Sequence, residues 1–133
     1  MDPRGLVGKW TLARRLVDRT AGAYGSVAGT LQVTPDGDGV RLAERGVLAW
    51  QGARYPVSRV SRLRRRDGEW WMHFEDGRPF HPWRPGSPVV HPCAADTYAG
   101  LVVVDRDGTR LRTLWDVTGP TKNQRLITRF TRC

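Results

Sequence analysis

The sequence predicts an all-β domain: a single up-and-down antiparallel β-barrel of about 8–9 strands with an internal cavity. Turn dipeptides such as Asp67-Gly68 and Asp107-Gly108 recur along the chain. The short runs between them alternate apolar and polar residues, which is the two-residue period of half-buried strands. Helical periodicity is weak throughout, and residues 94–98 are the one expected helical turn. A barrel of roughly eight strands has room for one small ligand.

Composition and length indicate one globular domain spanning residues 1–133. Hydrophobic residues make up 39% of the chain and charged residues 26%, which are ordinary globular proportions. No apolar run approaches the roughly 20 residues of a membrane span, and the N-terminus lacks the apolar stretch of a signal peptide. A cytoplasmic protein without a membrane partner is therefore expected. Cys133 is the last residue, where fraying is common, so a disulfide with Cys93 is not expected. The two cysteines also lack metal-site spacing, so structural zinc is not expected.

A formal charge of +9 raises nucleic acid as a partner. Only Lys9 and Lys122 are lysines among the 22 basic residues, so the other 20 are arginines spread along the chain. No nucleic-acid motif accompanies them. A solvated arginine surface is the preferred interpretation, and a nucleic-acid partner is not expected.

Two charged residues lie on strand faces that are otherwise apolar. Arg14 shares its face with Trp10 and Leu12, and Glu44 shares its face with Leu42. An isolated buried charge is costly, so each needs a partner or a ligand. A mutual salt bridge and a ligand-binding role both remain open. The hydroxyl of Tyr55 is a further candidate for the same cavity.

The ends of the barrel carry a first family resemblance. Gly8-Lys9-Trp10 opens the first long strand and Arg132 ends the last. This arrangement resembles lipocalins, in which an arginine late in the barrel packs across the tryptophan of a Gly-x-Trp motif. The resemblance implies that Arg132 stacks on Trp10 in a cation–π contact and closes one end of the barrel.

Longer segments resemble a second group, a family of small lipocalin-like proteins known only as a domain of unknown function. The resemblance covers most of the chain. It implies a lipocalin-like fold and brings no established activity with it. The segments that carry it are Gly8-Lys9-Trp10-x-Leu12-x-Arg14, Phe74-x-Asp76-Gly77-Arg78-x-Phe80-His81, His91-x-Cys93-x-x-Asp96-x-Tyr98-x-Gly100, Trp115-x-Val117-x-Gly119-Pro120-x-Lys122 and Thr128-x-Phe130-x-Arg132.

Candidate acid/base chemistry is concentrated around His91. An imidazole titrates near neutrality and serves as a general acid or base, and a nearby carboxylate can orient it. We therefore assign His91 as the acid/base group, Asp96 as its orienting partner, and Tyr98 and Arg78 as groups that stabilise developing negative charge. The alternative is a connector capped by Asp96, with His91 hydrogen-bonded to the backbone.

The segment from Phe74 to His81 supplies further ligand-binding candidates. Asp76-Gly77 predicts a hairpin turn, after which Arg78 pairs with Asp76 or reaches an anionic ligand. His81 lies between prolines and is expected at a rim. The alternative is a charged turn beside a surface histidine. The residues assigned to ligand binding are Arg14, Glu44, Tyr55, Phe74, Phe80, His81 and Trp115.

These features favour a barrel that binds a small hydrophobic or aromatic organic ligand. Turnover by cofactor-independent acid/base chemistry, as in an isomerase, cyclase or dehydratase, is one outcome. A carrier without turnover is another. The sequence contains no nucleotide-binding or hydrolase motif, and neither a cofactor nor a metal is expected.

Two surface alternatives also remain. A nucleic-acid-binding barrel would use four arginines between residues 62 and 66 as phosphate contacts, beside Trp70 and Trp71 as stacking platforms. A solvated hairpin tip is the simpler explanation of that cluster. Six tryptophans are many for one interior, so some are expected at the mouth or at an interface, and a homodimer stays an open alternative.

Overall fold

The computed structural model describes residues 2–133 and contains one ten-stranded antiparallel sheet. Neighbouring strands follow the order β6-β5-β4-β3-β2-β1-β10-β9-β8-β7, as in an up-and-down barrel. The strands are β1 (Gly8–Asp18), β2 (Ala23–Asp36), β3 (Gly39–Trp50), β4 (Ala53–Arg66), β5 (Glu69–Phe74), β6 (Pro79–Pro82), β7 (Val89–Cys93), β8 (Asp96–Val104), β9 (Arg110–Thr118) and β10 (Asn123–Arg132).

The predicted count of 8–9 strands is too low, because the structure has ten, including the short edge strands β6 and β7. Both strands are short, and they contain Pro79, Pro82 and Pro92. Proline cannot donate to a ladder, and its presence argues against a central strand. Here it is tolerated because β6 and β7 are the two edges of the sheet. They contact each other without a ladder between them, so the barrel is nearly closed, with a seam at this point.

A second correction concerns residues 94–98, which do not form a helical turn. Ala94 and Ala95 connect β7 to β8, and Asp96 already pairs with Cys93 in the ladder. Ala94 has a positive φ of 54°, which a tight hairpin connection requires. The described chain does contain a 3₁₀ helix, but it lies at Pro3–Leu6 and starts with an Asp2 cap. No helix within residues 2–133 is both long and apolar enough to cross a bilayer.

The predicted inward faces agree with the structure. Residues of alternate parity in each long strand form the core, and cross-strand partners continue the same face from strand to strand. In β1, Trp10 and Leu12 are buried, and Arg14 is largely so. The buried hydrophobic cluster comprises Leu6, Trp10, Leu12, Val27, Leu31, Val33, Val40, Leu42, Leu63, Trp83, Val102, Leu111 and Phe130.

The predicted contact between Trp10 and Arg132 is confirmed. The Arg132 guanidinium carbon lies 4.3 Å from the centroid of the fully buried indole. The guanidinium also donates hydrogen bonds to the carbonyls of Gly5, Val7 and Gly108. These contacts join the first strand, the last strand and the 3₁₀ helix, and they close one end of the barrel.

Candidate functional site

The interior of the barrel contains a cavity of about 110 Å³. Eight of the ten strands contribute to its wall, which has eleven hydrophobic side chains and five polar ones. The lining residues are Leu31, Leu42, Glu44, Arg59, Val60, Ser61, Met72, Phe74, Phe80, His81, Trp83, Val102, Leu111, Thr113, Trp115 and Phe130.

Phe80 is the centre of an aromatic cluster on one side of this cavity. Its ring stacks with Phe74 at 4.8 Å and with Trp115 at 5.1 Å between centroids. The edges of His81, His91 and Tyr98 also meet it, at 4.8, 5.1 and 5.7 Å. Phe74, Phe80, His81 and Trp115 were all assigned to ligand binding, and the structure brings the four together in the cavity lining.

His81 is buried rather than placed at a rim, which corrects the expectation from its flanking prolines. Only 3% of the residue is exposed. A β-bulge between Met72 and His73 shifts the pairing of β5 with β6 and sets His81 opposite the inward-facing Met72. Its side chain therefore lines the cavity instead of facing solvent.

The hydrogen bond of His81 fixes the state of its ring. Nδ1 lies 2.8 Å from the carbonyl oxygen of Pro82. A carbonyl only accepts, so Nδ1 carries the proton and donates. Burial lowers the pKa of the imidazole, which keeps the ring neutral at pH 7. Nε2 is then an acceptor, and it makes no hydrogen bond to any residue of the described chain.

Trp83 is a lining residue that the sequence did not assign to the site. It is 7% exposed, and its Nε1 is the one buried side-chain nitrogen or oxygen in residues 2–133 without a hydrogen-bond partner. The signal was its position two residues after His81, since alternate residues of an extended segment share a face. The Trp83 amide donates to the Trp70 carbonyl at 2.8 Å, which continues the pairing of β6 with β5.

Arg14 and Glu44 form the predicted salt bridge, with Arg14 Nη2 2.9 Å from Glu44 Oε1. Arg14 Nε also donates to the hydroxyl of Thr128 at 2.8 Å. A third residue, Arg59, was missed: its Nη2 lies 2.9 Å from Glu44 Oε2. It pairs with Glu44 across β3 and β4. Its face of β4 mixes the apolar Val57 and Leu63 with Tyr55 and Ser61, so the apolar alternation is weaker than on the inward faces of β1 and β3.

This cluster of two arginines and one carboxylate carries a formal charge of +1 within the barrel wall. Glu44 and Arg59 line both the central cavity and a neighbouring cavity of about 90 Å³, which Arg14 also lines. Burial lowers the pKa of the Arg14 guanidinium, and the charge of Glu44 opposes that effect. The cluster is therefore the polar boundary between the two cavities.

The expected pairing of His91 with Asp96 is wrong. Asp96 Oδ2 lies 3.0 Å from Lys122 Nζ, and this contact raises the pKa of the Lys122 ammonium. No hydrogen bond between Asp96 and His91 occurs within residues 2–133. His91 and Tyr98 face each other across β7 and β8 behind Phe80, outside the cavity lining. The structure thus separates the assigned acid/base group from both its partner and the cavity.

Two further candidates lie away from the cavity. Arg78 is 69% exposed and pairs with Asp76, the first of the two outcomes expected for it. Its guanidinium also lies 5.1 Å from the ring of Phe74. Tyr55 is 48% exposed and lies outside the lining of the central cavity, although its strand partner Leu48 packs against the core.

The arginines of the basic cluster at residues 62–66 contact acidic and aromatic side chains of the same chain. Arg62 and Arg64 both donate to Asp36. Arg65 lies 4.5 Å from the ring of Trp70, and Arg66 lies 5.4 Å from that of Trp71. These pairings favour a hairpin with internal contacts over a free phosphate-binding surface.

The tryptophans do not form the exposed surface expected of a dimer interface. Trp10 and Trp83 are buried, and the other four are half-buried. None of the six is among the exposed large hydrophobic residues of the described chain. Both cysteines are free. A cluster of three metal-ligating side chains does not occur within residues 2–133.

Comparisons with known proteins agree with the fold. A model described as "Family of unknown function (DUF6314)" matches residues 6–132, while no curated protein matches the chain. The structure is similar to that of an S-type phycobiliprotein lyase, CpeS, from Guillardia theta, with a TM-score of 0.65. The two are 11% identical, over 98% of this chain and 89% of that one.

At this identity the likeness shows the fold alone, and it supports the lipocalin-like barrel predicted from the sequence. The individual motifs quoted above stay predictions. The match covers nearly the whole chain, and the protein therefore belongs to the family of unknown function DUF6314.

Proposed function

We propose that this protein binds a small hydrophobic or aromatic organic molecule inside its barrel. The observation that carries the proposal is the central cavity, whose wall is mainly apolar and aromatic with a few polar groups. Ligand sites typically combine such walls with a small number of oriented polar groups. The side chains of Phe74, Phe80 and Trp115 contribute aromatic surface to this wall, which suits contact with an apolar or aromatic ligand.

The volume limits the ligand. About 110 Å³ is well below the roughly 300 Å³ of a pocket for a drug-sized molecule. It is closer to the roughly 150 Å³ of an engineered apolar cavity that admits benzene. The cavity therefore suits a single ring or a short branched chain. The +1 charge of the Arg14–Glu44–Arg59 cluster favours neutral or anionic molecules over cations.

A thermal-shift comparison tests this function. Benzene and toluene are expected to raise the melting temperature, because a ligand that binds only the folded state stabilises it. Val102→Phe is the matched control, since the larger side chain fills the cavity from a buried lining position. Equal shifts for the wild type and a folded V102F variant, or no shift for either ligand, would contradict the proposal.

A second candidate function, proton transfer on the bound molecule, is favoured by His81 rather than His91. His81 lines the cavity with a neutral ring and an unpaired Nε2. Such a nitrogen can accept a proton from a ligand and return it at another position, which is the chemistry of a cofactor-free isomerase.

The acid/base role is tested by deuterium exchange. Cyclohexenone in D₂O is expected to exchange its α-protons faster with the wild-type protein than with His81→Phe. His91→Phe is expected to behave like the wild type. Exchange that H81F leaves unchanged would leave a carrier without turnover as the function.

A further inference from the structure

The buried indole of Trp83 has a donor without an acceptor. A tryptophan N–H usually finds a partner when it is buried, and leaving one unpaired destabilises the folded protein. Trp83 Nε1 finds no acceptor within residues 2–133. Because the same side chain lines the central cavity, a guest molecule in that cavity can supply the acceptor.

His81 supplies the complementary group. Its Nδ1–H is already used by the Pro82 carbonyl, so Nε2 offers a lone pair and needs a donor. His81 and Trp83 are two residues apart in an extended segment, which sets their Cα atoms about 6.6 Å apart on one face. Both line the same cavity. The cavity wall therefore includes one residue with an unused donor and one with an unused acceptor.

We propose that the ligand carries a hydroxyl group that accepts a hydrogen bond from Trp83 Nε1–H and donates one to His81 Nε2. The ligand class is thus a small phenol, enol or cyclic alcohol. This inference rests on the proposed binding of a small hydrophobic molecule in the barrel and specifies its polar group.

Ketones, ethers, carboxylates and ammonium groups each satisfy only one side of the pair. A ketone or ether accepts from Trp83 but leaves His81 Nε2 without a donor, and a carboxylate also lacks a proton to donate. An ammonium group donates to His81 but offers Trp83 no acceptor, and the positive cluster at Glu44 disfavours it. A hydroxyl both donates and accepts.

Phenol and toluene test the inference, because they have the same number of heavy atoms and differ in the hydroxyl. We expect phenol to bind the wild-type protein about tenfold more tightly than toluene, as measured by calorimetric titration. In a ¹H–¹⁵N spectrum, phenol is expected to shift the indole N–H signal of Trp83 strongly, whereas toluene leaves it nearly unchanged. The Trp83→Phe variant assigns that signal by its disappearance.

Three variants distinguish the effect of the two hydrogen bonds on phenol binding from the effect of the cavity's shape. Trp83→Phe and His81→Phe keep an aromatic ring at each position, and each is expected to reduce the preference for phenol to about twofold or less. Trp71→Phe is the matched control, because Trp71 lies outside the cavity lining and its loss is expected to keep the preference. Melting curves confirm that each variant is folded.

The outcomes distinguish this inference from the proposed function. If neither phenol nor toluene binds, the proposed function fails, and the inference fails with it. If toluene binds as tightly as phenol, or W83F keeps the full preference for phenol, the hydroxyl assignment is overturned while small-molecule binding stands.

Discussion

At the scale of single residues, the sequence predicted one of the two ion-pair partners of the Glu44 carboxylate and missed the other. Strand parity placed Arg14 and Glu44 on inward faces, and the two form a salt bridge there. The second arginine on Glu44 was missed, since Arg59 shares its face of β4 with Tyr55 and Ser61 as well as with the apolar Val57 and Leu63. Its side chain is 56% exposed, so its guanidinium stays partly hydrated while it pairs with a mostly buried carboxylate.

Removal of Arg14 is expected to destabilise the fold. Arg14→Met leaves Glu44 paired with Arg59 alone, and it removes the hydrogen-bond donor to the hydroxyl of Thr128. We therefore expect the free energy of unfolding to fall by about 2–4 kcal/mol. Urea denaturation measures this change. The double variant Arg14→Met, Glu44→Leu is expected to recover most of it, because the uncompensated buried charge is then gone.

The control for this change is Arg15→Met, at an exposed position without an ion pair within residues 2–133. We expect it to alter stability by less than about 0.5 kcal/mol. A double variant as unstable as Arg14→Met alone would show that the buried charge is not the cause.

His81 predicts a pH dependence of stability. Because burial holds its pKa below 6.5 in the folded state, the unfolded chain binds more protons as the pH falls through 6.5. The free energy of unfolding should therefore decrease between pH 7.5 and pH 5.5. Denaturant titrations of the wild type and His81→Phe measure the slope, which H81F is expected to reduce. The assignment is wrong if His91→Phe, rather than H81F, removes it.

At the scale of elements, the strands that the sequence reveals are the central ones. They alternate where one face is buried and the other exposed, as over residues 8–15 of β1 and 23–33 of β2. The two edge strands β6 and β7 lack this signal, being short and rich in proline. The bulge next to β6 was equally hidden, and it is the bulge that turns His81 inward. The candidate site thus depends on the edge strand β6 and its neighbouring bulge, which the alternation of apolar and polar residues does not reveal.

The seam between β6 and β7 should be the least protected part of the barrel. Each of these strands has a ladder on one side only, and proline interrupts both. Exposed edges of a sheet open at lower free energy than its centre. Amide hydrogen exchange in peptides from residues 79–93 is therefore expected to exceed that in residues 123–132 of β10. Equal protection of the two regions would indicate that the seam is closed.

At the scale of the whole molecule, the barrel has one closed end and one interior site. Arg132 and Trp10 tie the last strand to the first at the closed end. The sequence predicted that contact through its resemblance to lipocalins. The central cavity then lies between the buried core and the aromatic cluster around Phe80, and four of the assigned ligand-binding residues with aromatic rings line it.

The predicted pairing of His91 with Asp96 was wrong, because closeness in sequence does not determine which side chains meet across a hairpin. His91 and Asp96 are five residues apart, but the hairpin pairs Asp96 with Cys93 and His91 with Tyr98. His81 and Trp83 reach the cavity through the pairing of β6 with β5, whose register is shifted by a β-bulge. The register of that pairing could not be predicted from the residue pattern of the two strands.

The most direct test of the central claim is a measurement of nuclear Overhauser effects between bound toluene and the methyl groups of the protein. Binding inside the barrel predicts contacts to Leu31, Val102 and Leu111, which line the cavity and are nearly inaccessible to solvent. Contacts only to the exposed Val47 and Val90, or none at saturating toluene, would contradict an interior binding site.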